Sequence, residues 1–193
     1  MDGSTVFVKR YPRDEERLSL IDRDEVWRYA GFPAGKSGDR EPLEALLEEV
    51  LHECSGIFRY DVCYIRFPLS WENGSPVLPF PSASKSLAKC LAGSREAVMM
   101  AATIGLELDR KIARYERISP SKALLLHALG VERVEAVCDV FCEDLGTEVK
   151  KAGCIITPRF SPGYGDLPLE VQTDFIRLLD CSRRCAVGPP ART

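Results

Sequence analysis

The sequence predicts an α+β fold with a mainly antiparallel sheet flanked by helices, on three observations. Tyr60–Phe67, rich in aromatic and β-branched residues, and the continuous apolar run Glu96–Ile104 both read as strands. Several other segments repeat apolar residues at helical spacing. The two kinds of segment both alternate and cluster, without the regular β-α-β rhythm of a parallel sheet.

Val6-Phe7-Val8 reads as a short strand followed by a charged loop. Asp22, with Glu25 three residues later, forms a capping box that opens a helix ending near Gly31. Gly31 to Gly38 is a loop. From Arg40 to Cys54, Leu43, Leu46, Leu47 and Val50 mark an amphipathic helix. Val77–Phe80 is expected to pair weakly with the Tyr60–Phe67 strand across a turn at Asn73-Gly74. Ser82 or Ser84 caps a helix to Leu91, and Gly105 stops the buried strand at 96–104. Two helices follow, at about 106–117 and 120–151, the second with a possible break at Gly130. Cys154–Thr157 is expected to be a last short strand. Asp166 and Pro168 start a final helix with Leu169, Gln172, Phe175, Ile176 and Leu179 on one face. Residues 1–182 form one domain on this reading, and the polar, proline-containing tail 183–193 has little structure.

A chain of 193 residues can bury a core of its own. A formal charge of −3 with scattered basic residues gives no electrostatic reason to expect nucleic acid or an acidic membrane surface. No segment of about 18 apolar residues is present to span a bilayer. The start, Met1-Asp2-Gly3-Ser4, lacks the features of a signal peptide, so the cytoplasm is the expected location. The eight cysteines are expected to be free thiols, because Cys63, Cys90, Cys138 and Cys154 sit in apolar runs. The four-residue spacings Cys138/Cys142 and Cys181/Cys185 do not match zinc knuckles, and His52 and His127 have no partner at ligand spacing. No metal is expected.

Gly31-Phe-Pro-Ala-Gly35-Lys36-Ser37 is one residue short of phosphate-loop spacing and follows a helix, so it reads as a helix-terminating loop. Glu132, Glu135, Asp139 and Glu143 line one side of the long helix and read as a solvated acidic face. Ser84-Lys85-Ser86 is a plain cap. The most informative stretch is Arg159-Phe160-Ser161-Pro162-Gly163-Tyr164-Gly165-Asp166. Pro158 and Pro162 hold its backbone extended, and Gly163 and Gly165 remove side chains where a ligand would approach. Arg159 supplies a forked cation and Tyr164 a flat ring with a hydroxyl. Such a cradle suits a small molecule with a carboxylate and a ring system. A structural loop, with Arg159 paired to a nearby carboxylate, fits the composition equally well.

This octet resembles the Arg-x-x-x-Gly-Tyr element of the S-adenosylmethionine-binding activation domain of cobalamin-dependent methionine synthase. Glu25-Val-Trp-Arg28-Tyr29-Ala-Gly31 resembles that family's opening helix, and Ala102-Thr103-Ile104-Gly105 its strand end before a helix. His127-Ala128-Leu129-Gly130 followed by Val134-Glu135-Ala136 resembles its central helix pair. Together these cover about residues 20 to 180, in the order of the stand-alone members.

The resemblance implies an S-adenosylmethionine-binding accessory protein for reductive reactivation, by remethylation, of a cobalamin-dependent methionine synthase. It would belong to a methyltransferase system of methionine biosynthesis. Arg159 would grip the methionyl carboxylate, backbone groups at Ser161 and Gly163 would meet the adenine or ribose, and Tyr164 would lie against the ligand. Glu135 would face the amino or sulfonium end. No side chain is assigned as catalytic or as a metal ligand. Cobalamin would come only through a partner, the corrinoid-bearing modules of methionine synthase, with a one-electron donor such as a flavodoxin or ferredoxin. The family pattern continues past the final helix into a strand-forming stretch that Cys185–Thr193 does not match. The alternatives are a non-catalytic scaffold of a corrinoid methyltransferase that has lost ligand binding, or an unrelated small-molecule sensor.

Overall fold

The structure, a computed structural model, describes residues 5–32 and 40–185. In chain order the elements are β1 (Phe7–Arg10), α1 (Glu16–Ser19), α2 (Arg23–Tyr29), α3 (Glu41–Glu53), β2 (Asp61–Pro68), β3 (Trp71–Glu72), β4 (Ser75–Pro76), α4 (Lys85–Leu91), β5 (Glu96–Thr103), α5 (Glu107–Tyr115) and α6 (Pro120–Lys150). A 3₁₀ turn (Leu169–Val171), α7 (Gln172–Leu178) and α8 (Cys181–Arg184) complete the described chain. The main sheet has the order β1-β2-β5. Its neighbours are antiparallel, since Tyr11 N–H donates to Tyr60 O, Arg59 N–H to Ile104 O and Leu69 N–H to Arg95 O. The expected α+β class with a small antiparallel sheet is what forms.

The chain divides into two compact units. One contains residues up to Lys9, Val62–Ala101 and the chain from Cys142 onward; the other contains Arg10–Asp61 and Ala102–Phe141. We call them the loop-bearing unit and the helical unit.

In the helical unit, the Asp22 carboxylate accepts from the backbone N–H groups of Asp24 and Glu25 and so caps α2. The reciprocal half of the capping box is absent. Glu25 pairs instead with Arg28, and Asp22 N–H donates to Glu132. Glu132 is 4% exposed and pairs with the buried Arg133, whose guanidinium also donates to the carbonyls of Leu18 and Leu20, each at 2.7 Å. The solvated acidic face therefore does not extend to Glu132, because a carboxylate is tolerated inside when it is paired and hydrogen-bonded. Lys122 is likewise buried but charged: its ammonium bonds to Glu53, reaches Glu49 at 3.3 Å and sits 4.6 Å from the Tyr115 ring centroid. The bond to Glu53 raises the Lys122 pKa above its ordinary value.

α6 runs unbroken through Gly130. A Cβ at Gly130 would lie 2.7 Å from Leu108 Cδ2, so the glycine serves close packing and not a break. The buried Cys54 thiol is pushed up to about 11 by burial, as suits an inert core thiol.

In the loop-bearing unit the hairpin at Asn73-Gly74 is tighter than expected. Trp71 pairs with Pro76 and Glu72 with Ser75, and Val77–Phe80 forms no strand. Asn73 and Gly74 both adopt positive φ, at 50° and 78°, which a two-residue hairpin turn requires. Phe80 turns inward instead and meets Phe175 edge-on at 5.1 Å. Its core joins Cys63 and Ile65 of β2, Met99 of β5, Leu87 of α4, Leu167 and the C-terminal residues Leu179, Cys181 and Cys185. β5 is less buried than its apolar run suggests, with Met99 its buried residue.

Two further expectations fail here. Cys154–Thr157 forms no strand, and Ile155 is 91% exposed. Cys154 N–H donates back to Val149 O at the end of α6, and a segment that finds no strand beside it cannot become part of a sheet, whatever its propensity. Nor are all the cysteines free. Cys63 and Cys185 are joined as a disulfide, with Cα atoms 6.7 Å apart across 122 residues of sequence. Cys54, Cys90, Cys138, Cys142, Cys154 and Cys181 are free thiols, and Cys154 is exposed despite its apolar neighbours. Residues 183–185 continue the helical turn of α8, while 186–193 and the Gly35-Lys36-Ser37 motif lie outside the described residues.

Candidate functional site

The Pro158–Asp166 stretch is a surface loop of stacked turns in the loop-bearing unit. Tyr164 N–H donates to Ser161 O at 3.0 Å, Leu167 N–H to Tyr164 O at 3.1 Å, and Gly163 N–H to Leu167 O at 2.8 Å. Gly163 has φ of 88° and Gly165 of 59°, conformations that only glycine adopts at little cost. Space is tight there as well. A Cβ at Gly163 would lie 3.1 Å from Leu169 Cδ1, and one at Gly165 would lie 3.1 Å from Ser86 Oγ and 3.2 Å from Ser86 Cβ.

Asp166 fastens the loop to α4. Its carboxylate accepts from the hydroxyl of Ser84, from Lys85 N–H at 2.8 Å and from Ser86 N–H at 3.1 Å. Ser84 Oγ in turn accepts from Leu87 N–H at 3.0 Å, so Asp166 and Ser84 together satisfy the first turn of the helix. The Ser84 hydrogen bond, with the two backbone donors, holds the Asp166 carboxyl well below the usual carboxylate range. Beside it, Gly74, Ser75, Pro76, Ser82, Ala83, Ser84, Lys85 and Ala88 line a cavity of about 370 Å³. The apparently plain Ser84-Lys85-Ser86 cap is thus half of a tertiary clamp. A carboxylate and hydroxyls of capping type are its sequence signal, but nothing local joins Ser84 to Asp166 across 82 positions.

The predicted binding residues distribute as follows. Arg159, Ser161, Gly163 and Tyr164 all lie on this loop and are exposed. Tyr164, 68% exposed, meets the half-buried Phe160 edge-on with ring centroids 5.4 Å apart. Arg159 Nη1 donates to Cys142 Sγ at 3.9 Å, and Cys90 Sγ lies 3.7 Å from Pro158 O. Sequence reasoning did not anticipate these two thiols beside the loop. Glu135 is exposed on α6 in the helical unit and belongs to a different compact unit from the other four.

Chemically, the loop presents a guanidinium and an exposed tyrosine, while the Cβ-free sides of Gly163 and Gly165 face Leu169 and Ser86 and so serve the loop's own packing. No group of three or more His, Cys, Asp or Glu side chains able to hold a metal converges among the described residues. Nor, among them, is any helix long and apolar enough to cross a membrane.

No family profile and no curated protein matches the sequence. Solved structures do match its fold. The crystal structure of the MetH reactivation domain bound to AdoHcy aligns with a TM-score of 0.61 and 14% identity, over 95% of this chain and 72% of that chain. The fold is therefore methionine synthase reactivation domain-like, as the ordered sequence resemblance implied. At 14% identity this likeness concerns architecture, and what the chain binds has to be argued from its own residues.

Proposed function

We propose that this chain is an S-adenosylmethionine-binding accessory protein for reductive reactivation of a cobalamin-dependent methionine synthase. The observation that carries this reading is the Pro158–Asp166 loop. Its two positive-φ glycines and forked cation occur on a fold shared with a reactivation domain solved with AdoHcy. AdoHcy and S-adenosylmethionine share the adenosyl group and the amino-acid carboxylate, which are the ring and the anion the loop suits.

The residues fit such a ligand. Arg159 would pair with the carboxylate, for which a guanidinium fork is the best geometric match. The backbone at Ser161 and Gly163 would meet the adenine or ribose, and Tyr164 would lie against it. Glu135 is the proposed partner of the cationic end. The chain's own contribution is binding and placement, so it has no catalytic side chain. When bound, S-adenosylmethionine supplies the methyl group for the partner's reduced corrinoid. The corrinoid-bearing modules of methionine synthase and a one-electron donor such as a flavodoxin or ferredoxin are the proposed partners, and the cytoplasm the proposed location.

Calorimetric titration of the purified protein with S-adenosylmethionine tests this reading. Saturable heat, with a matching rise in melting temperature, is the expected result. No heat and no thermal shift at millimolar ligand would replace it with the scaffold reading, in which the fold docks on a corrinoid enzyme without a ligand.

A further inference from the structure

We propose that the Cys63–Cys185 bond is a redox-controlled staple that secures the C-terminal helices of the loop-bearing unit, and with them the Pro158–Asp166 loop, to the sheet. Cys63 stands on β2 and is fully buried; Cys185 follows α8 and is 4% exposed. Both lie in the core that also takes in Leu167, and Phe160 packs against it. The two ends of the loop thus rest on the apolar cluster that the disulfide crosses.

The bond reinforces an attachment made by short helices. α7 has seven residues and α8 four, far short of the length at which a helix holds itself in water. Apart from apolar packing, Arg184 Nη1 donates to Val6 O at 3.2 Å. A crosslink across 122 residues removes a large share of the freedom of the unfolded chain.

Burial also makes the bond respond to opening. A thiolate must reach one sulfur to exchange it, and both are inside. Cys181, one turn before Cys185 in the same core, is held as a protonated thiol by burial and cannot attack while the core is closed. Reduction by a dithiol then requires α8 to lift. Two electrons and two protons pass to the sulfurs, leaving two thiols, and the reductant becomes a disulfide. Glutathione disulfide drives the reverse reaction and leaves as two glutathione thiols. None of this depends on what the loop binds.

The test compares the full chain oxidised by glutathione disulfide with the chain reduced by tris(2-carboxyethyl)phosphine. Peptide mapping without reductant should find residues 63 and 185 linked in the oxidised form. On reduction the melting temperature should fall by roughly 10 °C. Amide exchange over residues 158–185 should quicken by about 10-fold or more, while α3 stays unchanged. Oxidised Cys185→Ala should match the reduced wild type, and Cys154→Ser, at an exposed free thiol, should match the oxidised one. Absence of the linked peptide after oxidation overturns the proposal, as does reduction that leaves exchange over 158–185 unchanged.

Discussion

Arg159 shows how much can hang on one side chain. It is exposed, its guanidinium touches the Cys142 thiol, and in the proposed site it would pair with the ligand carboxylate. A hydrogen bond to a charged partner is worth about 1.5–3 kcal/mol, so Arg159→Ala should weaken S-adenosylmethionine binding by roughly 10- to 100-fold. Calorimetry reads this directly, and an unchanged affinity would remove Arg159 from the site. Glu132 is the opposite case, a charge whose role is internal. Glu132→Ala leaves Arg133 buried without its carboxylate. Removing one partner of such a pair costs about 3–5 kcal/mol. We expect about 3, the low end, because the guanidinium keeps its bonds to Leu18 O and Leu20 O. Urea unfolding measures the loss, and a value near zero would show that the pair is not part of the stabilising core.

Among the elements, α4 and the loop form a joint that acid should loosen. The Asp166 carboxyl titrates below its ordinary value, so its contribution is fully present above pH about 4 and is lost as the pH falls through the folded value. Asp166→Asn should therefore melt lower than the wild type at pH 6, with the difference shrinking progressively toward pH 2. A difference independent of pH would mean that the hydrogen bonds, and not the charge, fasten the loop. Within α6, two effects compete at Gly130. Alanine gains about 1 kcal/mol in helix propensity, whereas forcing a methyl into a packed core costs typically 1–3. With Leu108 Cδ2 only 2.7 Å from the added carbon and Leu108 itself buried, overpacking should win. Gly130→Ala is expected to destabilise by ~1 kcal/mol, and a gain in thermal stability would show that Leu108 has room to move.

For the whole molecule, the proposed role makes activity conditional on other proteins. On the proposed reading the chain carries a cradle for a methyl donor, with none of its residues assigned to catalysis. Mixed with S-adenosylmethionine and homocysteine alone, it should give no methionine. Methionine synthase trapped in its inactive Co(II) form should regain the active cobalt spectrum only when this protein, S-adenosylmethionine and a one-electron reductant are all present. Recovery at the same rate without this protein would refute the reactivation role, as would methyl transfer by the protein with no corrinoid present.

Local chemistry was legible in the sequence wherever a residue acts within a few positions of itself. The apolar spacing of α3, the Asp22 cap, the Ser84 cap, the runs that became β2 and β5, and the glycines at 163 and 165 all work within a turn or a strand. The order of these elements also carried the resemblance, and hence the fold. Partnership was not legible. Val77–Phe80 and Cys154–Thr157 have strand-like composition, yet neither joins a sheet: Val77 N–H donates to Ser70 O and Cys154 N–H to Val149 O, single bonds that build no ladder. Glu132 shares its spacing with exposed acids and is buried with two partners, Asp22 N–H and Arg133, the latter held in turn by Leu18 O and Leu20 O. The clamp between Ser84 and Asp166 and the bond between Cys63 and Cys185 join residues 82 and 122 positions apart. Secondary structure is set largely by neighbours in sequence, and so can be read there. Burial, ion pairing and crosslinking are set by neighbours in space, which only the folded chain brings together.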